Sequence, residues 1–376
     1  MRIMIACGGT GGHIFPGVAI AEAIEVAHPR ADVFFMGRRG SLEERIVSGT
    51  GRDFAAVPSM GVVRGATVRN LAVPFAVSIG YATALGHLLP RRPAAAVGTG
   101  GFASVPPVLA ARTLGTPVLL TEQNSYPGLA TRILSRFASS VHVSFEESRR
   151  HLPHAREVVV SGNPVRSSFT QVDPQRARLD LGLSAEAPVV FFLGGSRGAH
   201  RINEAVEGAA ASLRGGGLQV IAQTGEDDFG AVRASLDRAG VKAVVAPFFD
   251  RVEACYAAAD LVVSRAGATC LAEITLVGRP SILVPYPYAT EGHQMKNARA
   301  MERAGAALVV PDEETTGATI AARIDELVND RAKLELMADA ARGLARPGAA
   351  ERVARATLAL ARRRRRPVRD EEDQRP

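Results

Sequence analysis

The feature that most constrains the fold is a local plan used repeatedly: a short apolar run, a glycine turn, then a helix-like stretch. IMIACGGTGGH at 3–13 is echoed by VVFFLGGSRGAH at 189–200, with the paired glycines offset by 186 residues. Apolar runs at Ile3–Cys7, Ala94–Val97, Val118–Thr121, Val158–Val160, Val189–Leu193, Val220–Gln223, Leu261–Ser264 and Ser281–Val284 show no polar alternation. They read as strands buried on both faces, the signature of parallel sheets covered by helices. The 376 residues suit two such domains. The expected fold is α/β, two Rossmann-like, doubly wound parallel-sheet domains facing a cleft, with ligands at the carboxyl ends of the strands.

The boundary is expected at GNPVR, Gly162–Arg166, where a glycine and a proline interrupt regular structure. That gives domains at 1–163 and 164–345, a C-terminal helix over 346–361 able to pack back on the N-terminal half, and a disordered charged tail at 362–376. The tail holds seven arginines against four acids, within a formal net charge of +7. Between Phe54 and Thr121 there is no Asp or Glu, whereas Arg64, Arg69, Arg91, Arg92 and Arg112 are present. Such a surface attracts anions, whether nucleic acid, anionic lipid or a phosphorylated substrate. Cys7, Cys255 and Cys270 are too scattered for a disulfide framework or a zinc site, and the N-terminus lacks a signal-peptide pattern, so a cytosolic location is expected.

The uncharged stretch Asn70–Pro90 meets the length criterion for a membrane span, but prolines, glycines and polar residues dilute it and it falls between two strands. Leu71, Phe75, Ile79, Ala82, Leu85 and Leu89 recur at helical spacing. Two readings fit: a helix lying in a membrane interface, or an apolar helix buried in the core.

The loop Gly8–His13 is an anion cradle by composition, since glycines admit a ligand close to the backbone and the next helix, beginning near Pro16, offers its positive end. Tight turning is the other use of such glycines. The loop is neither GxxxxGK[ST] nor GxGxxG. His13 closes it and is a candidate general base. Similar turns occur at Gly98–Gly101 and Gly194–Gly198. In SRAGATCLAEITLVGRP, Ser264 and Arg265 end a strand, Ala266–Gly267 turn, and a helix over Ala268–Val277 presents its N-terminus to a pyrophosphate, with Glu273 placed to bond a ribose. No DxD triplet for a metal occurs.

GGTGGHIFPG, EQNSYPG at Glu122–Gly128, SGNPVR at Ser161–Arg166, LGGSRGA, RAGATCLAEI and HQMKNA at His293–Ala298 occur in that order. Together they resemble the motifs of the bacterial peptidoglycan N-acetylglucosaminyltransferases, the family that converts lipid I to lipid II. The resemblance covers the chain to about Ala361. It implies a GT-B fold and an inverting, metal-independent transfer from UDP-N-acetylglucosamine to the muramyl 4-hydroxyl of lipid I, without a cofactor. It also implies that Thr10, Gly11 and Gly12 line the donor side of the first loop, and that Asn124, Arg166 and Ser196 contact the nucleotide sugar. Phe249 would offer its backbone to uracil, Gln294 would read sugar hydroxyls, and Ala268, Thr269, Cys270, Leu271, Ala272 and Glu273 would bind diphosphate and ribose. His13 and the loop Gly98, Thr99, Gly100 and Gly101 would face the acceptor pyrophosphate, with Glu122 the rival of His13 as base. A peripheral place on the cytoplasmic face of the membrane, held through the Arg-bearing 64–93 region, and no nucleic-acid partner complete these implications. The sequence departs from the family at Arg197, where many relatives carry glutamine. Nucleotide-sugar 2-epimerases share the two-domain plan and are the alternative; a nicotinamide oxidoreductase is disfavoured by the missing GxGxxG.

Overall fold

Alternate residues of the first strand enter different layers, which is why its apolar run is unbroken. Ile3 and Ile5 are buried among one set of helices, Met4 and Ala6 among another. The computed structural model describes residues 1–61, 71–195 and 198–365. Arg64, Arg69, Ser196, Arg197 and residues 366–376 lie outside the described residues. The chain divides into two compact units, Met1–Arg166 with Gly348–Pro376, and Ser167–Pro347.

In the first unit the chain runs β1 (Arg2–Ala6), α1 (Gly11–Ala27), β2 (Asp32–Gly37), α2 (Leu42–Gly49), β3 (Phe54–Ala56), α3 (Val73–Arg91), β4 (Ala95–Gly98), α4 (Val105–Thr113), β5 (Val118–Glu122), α5 (Leu129–Leu134), β6 (Ser140–Val143) and β7 (Val158–Val160). Among the described residues its strands form one sheet in the order β3-β2-β1-β4-β5-β6-β7, paired in parallel throughout. The order reverses at β1, so the loops after β1 and β4 open beside one another.

The second unit runs α6 (Pro174–Asp180), β8 (Val189–Leu193), α7 (His200–Gly215), β9 (Gln219–Gln223), α8 (Phe229–Ala239), β10 (Ala243–Ala246), α9 (Val252–Ala258), β11 (Leu261–Ser264), α10 (Ala268–Val277), β12 (Ser281–Leu283), α11 (His293–Arg303), β13 (Ala307–Val309), α12 (Gly317–Val328) and α13 (Arg331–Leu344). Its parallel sheet has the order β10-β9-β8-β11-β12-β13. Val190 and Phe192 pack towards α7 and α12, while Phe191 meets Tyr256 of α9 edge-on at 5.3 Å. Two doubly wound parallel-sheet domains are therefore present, as the apolar runs suggest. Asp32–Gly37, Phe54–Ala56, Ser140–Val143, Ala243–Ala246 and Ala307–Val309 are also strands, beyond the runs picked out in the sequence; Phe54–Ala56 and Ala307–Val309 have only three residues, and Ser140–Val143 carries a serine and a histidine.

Two expectations need correction, and one of two open readings does not fit. First, α1 begins at Gly11, not near Pro16, so Gly11, Gly12 and His13 are its first turn. That turn needs no intrahelical partners for its N–H groups, which is why glycines are tolerated there. Second, the charged tail does not begin at 362: α14 (Ala349–Arg365) carries Arg362–Arg365 as helix. Arg364 donates to the carbonyls of Pro93 and Leu114 and, at 2.6 Å, to Thr116 Oγ1. α14 belongs to the first unit, where Val353, Ala354 and Leu358 join the core around α1 and Arg352 donates to the Ser161 carbonyl at 2.7 Å.

The core-helix reading is the one that does not fit: α3 is not a core helix along its large apolar residues. Leu71, just ahead of the helix, and Phe75, Ile79 and Leu89 within it are 72%, 73%, 58% and 54% exposed, while Leu85 is half-buried. The helix packs instead through Gly80, Ala84 and Leu88. At Gly80 a Cβ would lie 2.2 Å from the Pro58 carbonyl oxygen, so only glycine allows that approach. By length and composition alone α3 could cross a membrane. It lies between β3 and β4 and packs on α4, a member of the α/β layer.

Candidate active site

Both sheets end in loops, and the first unit's loops converge on His13. Gly8–Thr10 and the first turn of α1 follow β1, Thr99–Gly101 follows β4, and Gln123–Gly128 follows β5, three neighbouring strands. The half-buried imidazole of His13 places Nδ1 3.1 Å from the Thr99 carbonyl oxygen and 3.0 Å from Gln123 Oε1. Thr99 Oγ1 donates to the His13 carbonyl at 2.7 Å, and Thr99 N to that of Ala6 at 2.9 Å. Gly100 and Gly101 take φ of +96° and +76°, and a Cβ on them would meet the ring at 2.9 Å and 3.3 Å. Glycine is required there both for the backbone and for the ring's seat.

Glu122 sits one residue before Gln123 and is 2% exposed. Its Oε1 accepts from Asn124 N at 3.0 Å and Asn124 Nδ2 at 3.1 Å, and its Oε2 from Gly128 N at 3.0 Å. The carboxylate staples the EQNSYPG loop. Ser148 Oγ braces the same loop through the Asn124 carbonyl. Arg166 closes the first unit with its guanidinium 5.5 Å from the centre of the Phe15 ring.

In the second unit the corresponding organiser is Gln223, at the carboxyl end of β9. Its Nε2 donates to the Gly195 carbonyl at 2.9 Å and its Oε1 accepts from Phe249 N at 3.0 Å, tying the third glycine loop to the loop after β10. The Phe249 N–H is thereby taken, which narrows the backbone offered by that residue to its carbonyl. Gln294, in the first turn of α11, accepts from Tyr286 N at 2.9 Å through Oε1.

α10 begins at Ala268 just past β11, with Gly267 extended as its N-cap, no side chain capping it and no acid in its first turn. Its positive end is therefore not neutralised from within the helix. Asn297 Nδ2 holds the preceding turn through the Ala266 carbonyl at 3.2 Å, and Arg265 is fixed by Asp312 and the Val284 carbonyl. Glu273, in the second turn, is buried, and its Oε2 accepts from Tyr256 Oη at 2.9 Å. Burial, then the Glu273 carboxylate, hold the Tyr256 phenol well above its ordinary pKa, so the phenol remains a donor.

Thus His13, Gly98–Gly101, Glu122 and Asn124 come together in one unit, and Ala268–Glu273, Phe249 and Gln294 lie on loops and helix starts of the other. Gln123, Gln223 and Tyr256 escaped the sequence reading. For the glutamines the available signal was an amide at the carboxyl end of an apolar strand. Among the described residues no three His, Cys, Asp or Glu side chains converge to hold a metal ion.

The Glycosyltransferase family 28 N-terminal domain matches residues 3–143 and the Glycosyltransferase family 28 C-terminal domain residues 189–353. The UDP-N-acetylglucosamine--N-acetylmuramyl-(pentapeptide) pyrophosphoryl-undecaprenol N-acetylglucosamine transferase of Desulforudis audaxviator is 41% identical over 94% of this chain and 96% of that protein. The crystal structure of Acinetobacter baumannii MurG superposes with a TM-score of 0.70 at 28% identity, covering 95% of this chain and 99% of that one. The UDP-GlcNAc 2-epimerase of Neisseria meningitidis has a TM-score of 0.66 at 12% identity over 96% of this chain and 100% of that one, a likeness of fold alone. With both domains matched and that identity sustained over nearly its whole length, the chain belongs to the family 28 glycosyltransferases, among the UDP-N-acetylglucosamine--N-acetylmuramyl-(pentapeptide) pyrophosphoryl-undecaprenol N-acetylglucosamine transferases.

Proposed function

We propose that the chain transfers N-acetylglucosamine from UDP-N-acetylglucosamine to the muramyl 4-hydroxyl of lipid I, giving lipid II, with inversion and without a metal ion. The observation that carries the reading is α10: an uncapped, acid-free helix start directly after a strand, followed one turn later by a buried carboxylate. The diphosphate rests on the N-terminus over Ala268–Leu271, where negative charge develops as the glycosidic bond breaks. Glu273 takes the ribose hydroxyls, the Phe249 carbonyl takes the uracil, and the Gln294 amide takes hydroxyls of the sugar.

In the first unit His13 removes the proton from the acceptor hydroxyl as its oxygen bonds to the anomeric carbon and the electron pair of the breaking bond leaves with UDP. We assign the base to His13 rather than Glu122 because both Glu122 oxygens are already engaged by three N–H donors. Thr10, Gly11 and Gly12 line the donor side of the first loop. Asn124, Arg166 and Ser196 complete the contacts to the nucleotide sugar, and Gly98–Gly101 face the acceptor pyrophosphate.

The lipid acceptor places the reaction at the cytoplasmic face of the membrane, with the protein bound peripherally. The outward apolar row Leu71, Phe75, Ile79 and Leu89, and Leu129, Ile133 and Phe137 at α5, support that placement. The acid-free, Arg-bearing 64–93 region adds attraction to anionic lipid.

The test uses the purified chain, UDP-N-acetylglucosamine labelled in the sugar, and a lipid I analogue. Label is expected in the lipid fraction. Label retained in a water-soluble epimerised nucleotide sugar would instead mark an epimerase.

A further inference from the structure

We propose that Gln123 is a positioning residue: together with the Thr99 carbonyl it locks the His13 imidazole in the tautomer protonated at Nδ1, leaving the Nε2 lone pair to take the acceptor's proton. The proposal rests on the reading of His13 as the base.

A neutral imidazole has one N–H and one lone pair, and in water it favours the proton on Nε2. At His13 the surroundings oppose that preference. The Thr99 carbonyl, 3.1 Å from Nδ1, can only accept, so Nδ1 must donate. That carbonyl cannot swing away, since Thr99 is tied through its N–H to Ala6 and through Oγ1 to the His13 backbone.

Gln123 Oε1 is a second acceptor 3.0 Å from the same nitrogen. Its other amide atom, Nε2, donates to Thr121 Oγ1 at 3.1 Å. Turning the amide round would bring an N–H to a nitrogen that already carries a proton for Thr99, so the arrangement is self-consistent one way only. Gln123 and Thr121 are 2% and 1% exposed, which leaves no room for water to substitute for either. Gly100 and Gly101 lie against the ring and limit its rotation. The ring's Nε2 makes no hydrogen bond among the described residues. Gln123 thus plays the orienting part that a third group plays beside a catalytic base, with an uncharged amide in place of a carboxylate.

The test is a long-range 1H–15N correlation spectrum of the full chain, labelled at its eight histidines, at a pH where imidazoles are neutral. The His13→Ala spectrum identifies the signal. The expected result is a protonated Nδ1 and a bare Nε2 in the wild type. Gln123→Met should shift the population towards the Nε2–H form and lower kcat ~10-fold or more, with the KM for UDP-N-acetylglucosamine nearly unchanged. Gln123→Glu, which keeps an acceptor oxygen, should retain the Nδ1–H tautomer and recover most of the turnover. Its added charge should move the acid limb of kcat/KM to higher pH.

A wild-type His13 protonated at Nε2, or a tautomer indifferent to Gln123→Met, overturns the proposal. If Gln123→Met does not fold, the wild-type and Gln123→Glu spectra decide it. Near-normal turnover in His13→Ala removes the base reading and with it the catalytic part of the proposal, even where the spectra show the expected tautomer.

Discussion

Glu122 and Glu273 are both buried carboxylates, and their neighbours assign them different work. Glu122 accepts from three N–H groups of its own loop, so its lone pairs hold backbone in shape. Glu273 has one oxygen fixed by a phenol that burial keeps protonated. Tyr256→Phe should therefore raise the KM for UDP-N-acetylglucosamine about 3- to 10-fold, the range of one lost hydrogen bond, with kcat little changed. Steady-state kinetics check this; an unaltered KM would detach Tyr256 from the donor site. His142 on β6 shows the cost of a buried polar group. Its Nδ1 lacks a hydrogen-bond partner, and burial lowers its pKa to about 4. Above pH about 6.5 neither the folded nor the unfolded chain protonates this ring; between there and pH 4 only the unfolded chain does. Stability should therefore fall as pH drops through that window, by up to roughly 3 kcal/mol from this residue. Urea unfolding of His142→Leu should show a shallower decline than wild type over the same range. At this scale the sequence exposed His13 and Glu273, because each stands beside a motif. It hid Gln123 and Tyr256, whose roles depend on partners, His13 and Glu273, that only the fold brings into reach.

Among the elements, strands and helix starts were legible to different degrees, for a physical reason. A parallel strand is buried on both sides, so Val189–Leu193 and Leu261–Ser264 announce themselves, and Gly267 with Ala268 marks the start of α10. Ser140–Val143 carries a serine and a histidine into the sheet and breaks the apolar signal. The start of α1 was obscured because a glycine-rich first turn looks like loop. α3 presented a periodicity without a direction: the apolar residues recur every three to four positions, but the stripe that packs most deeply is a neighbouring one, Gly80, Ala84 and Leu88. Turning Phe75 and Ile79 outwards exposes two side chains that a membrane interface would cover, each worth about 1.5–3 kcal/mol of burial. The double variant Phe75→Asp, Ile79→Glu should lower co-sedimentation with vesicles containing phosphatidylglycerol by about 10-fold or more. Undiminished binding would mean that the face serves something other than lipid.

For the whole molecule, the internal echo announced two α/β domains. The return of the chain into the first unit through α14 needed coordinates, because a helix with buried Val353, Ala354 and Leu358 suits many surfaces. The proposed division of labour follows the units: proton transfer at the loops around His13, and charge stabilisation at the leaving diphosphate by α10. On this proposal a preorganised helix end performs the task that other transferases give to a divalent cation. The direct test of that claim is the rate of label transfer from UDP-N-acetylglucosamine to a lipid I analogue in excess EDTA, compared with the rate after magnesium is added back. Equal rates within about twofold are expected, since a tenfold difference would correspond to about 1.4 kcal/mol of transition-state stabilisation supplied by the ion. Transfer abolished by EDTA and restored by magnesium would contradict it.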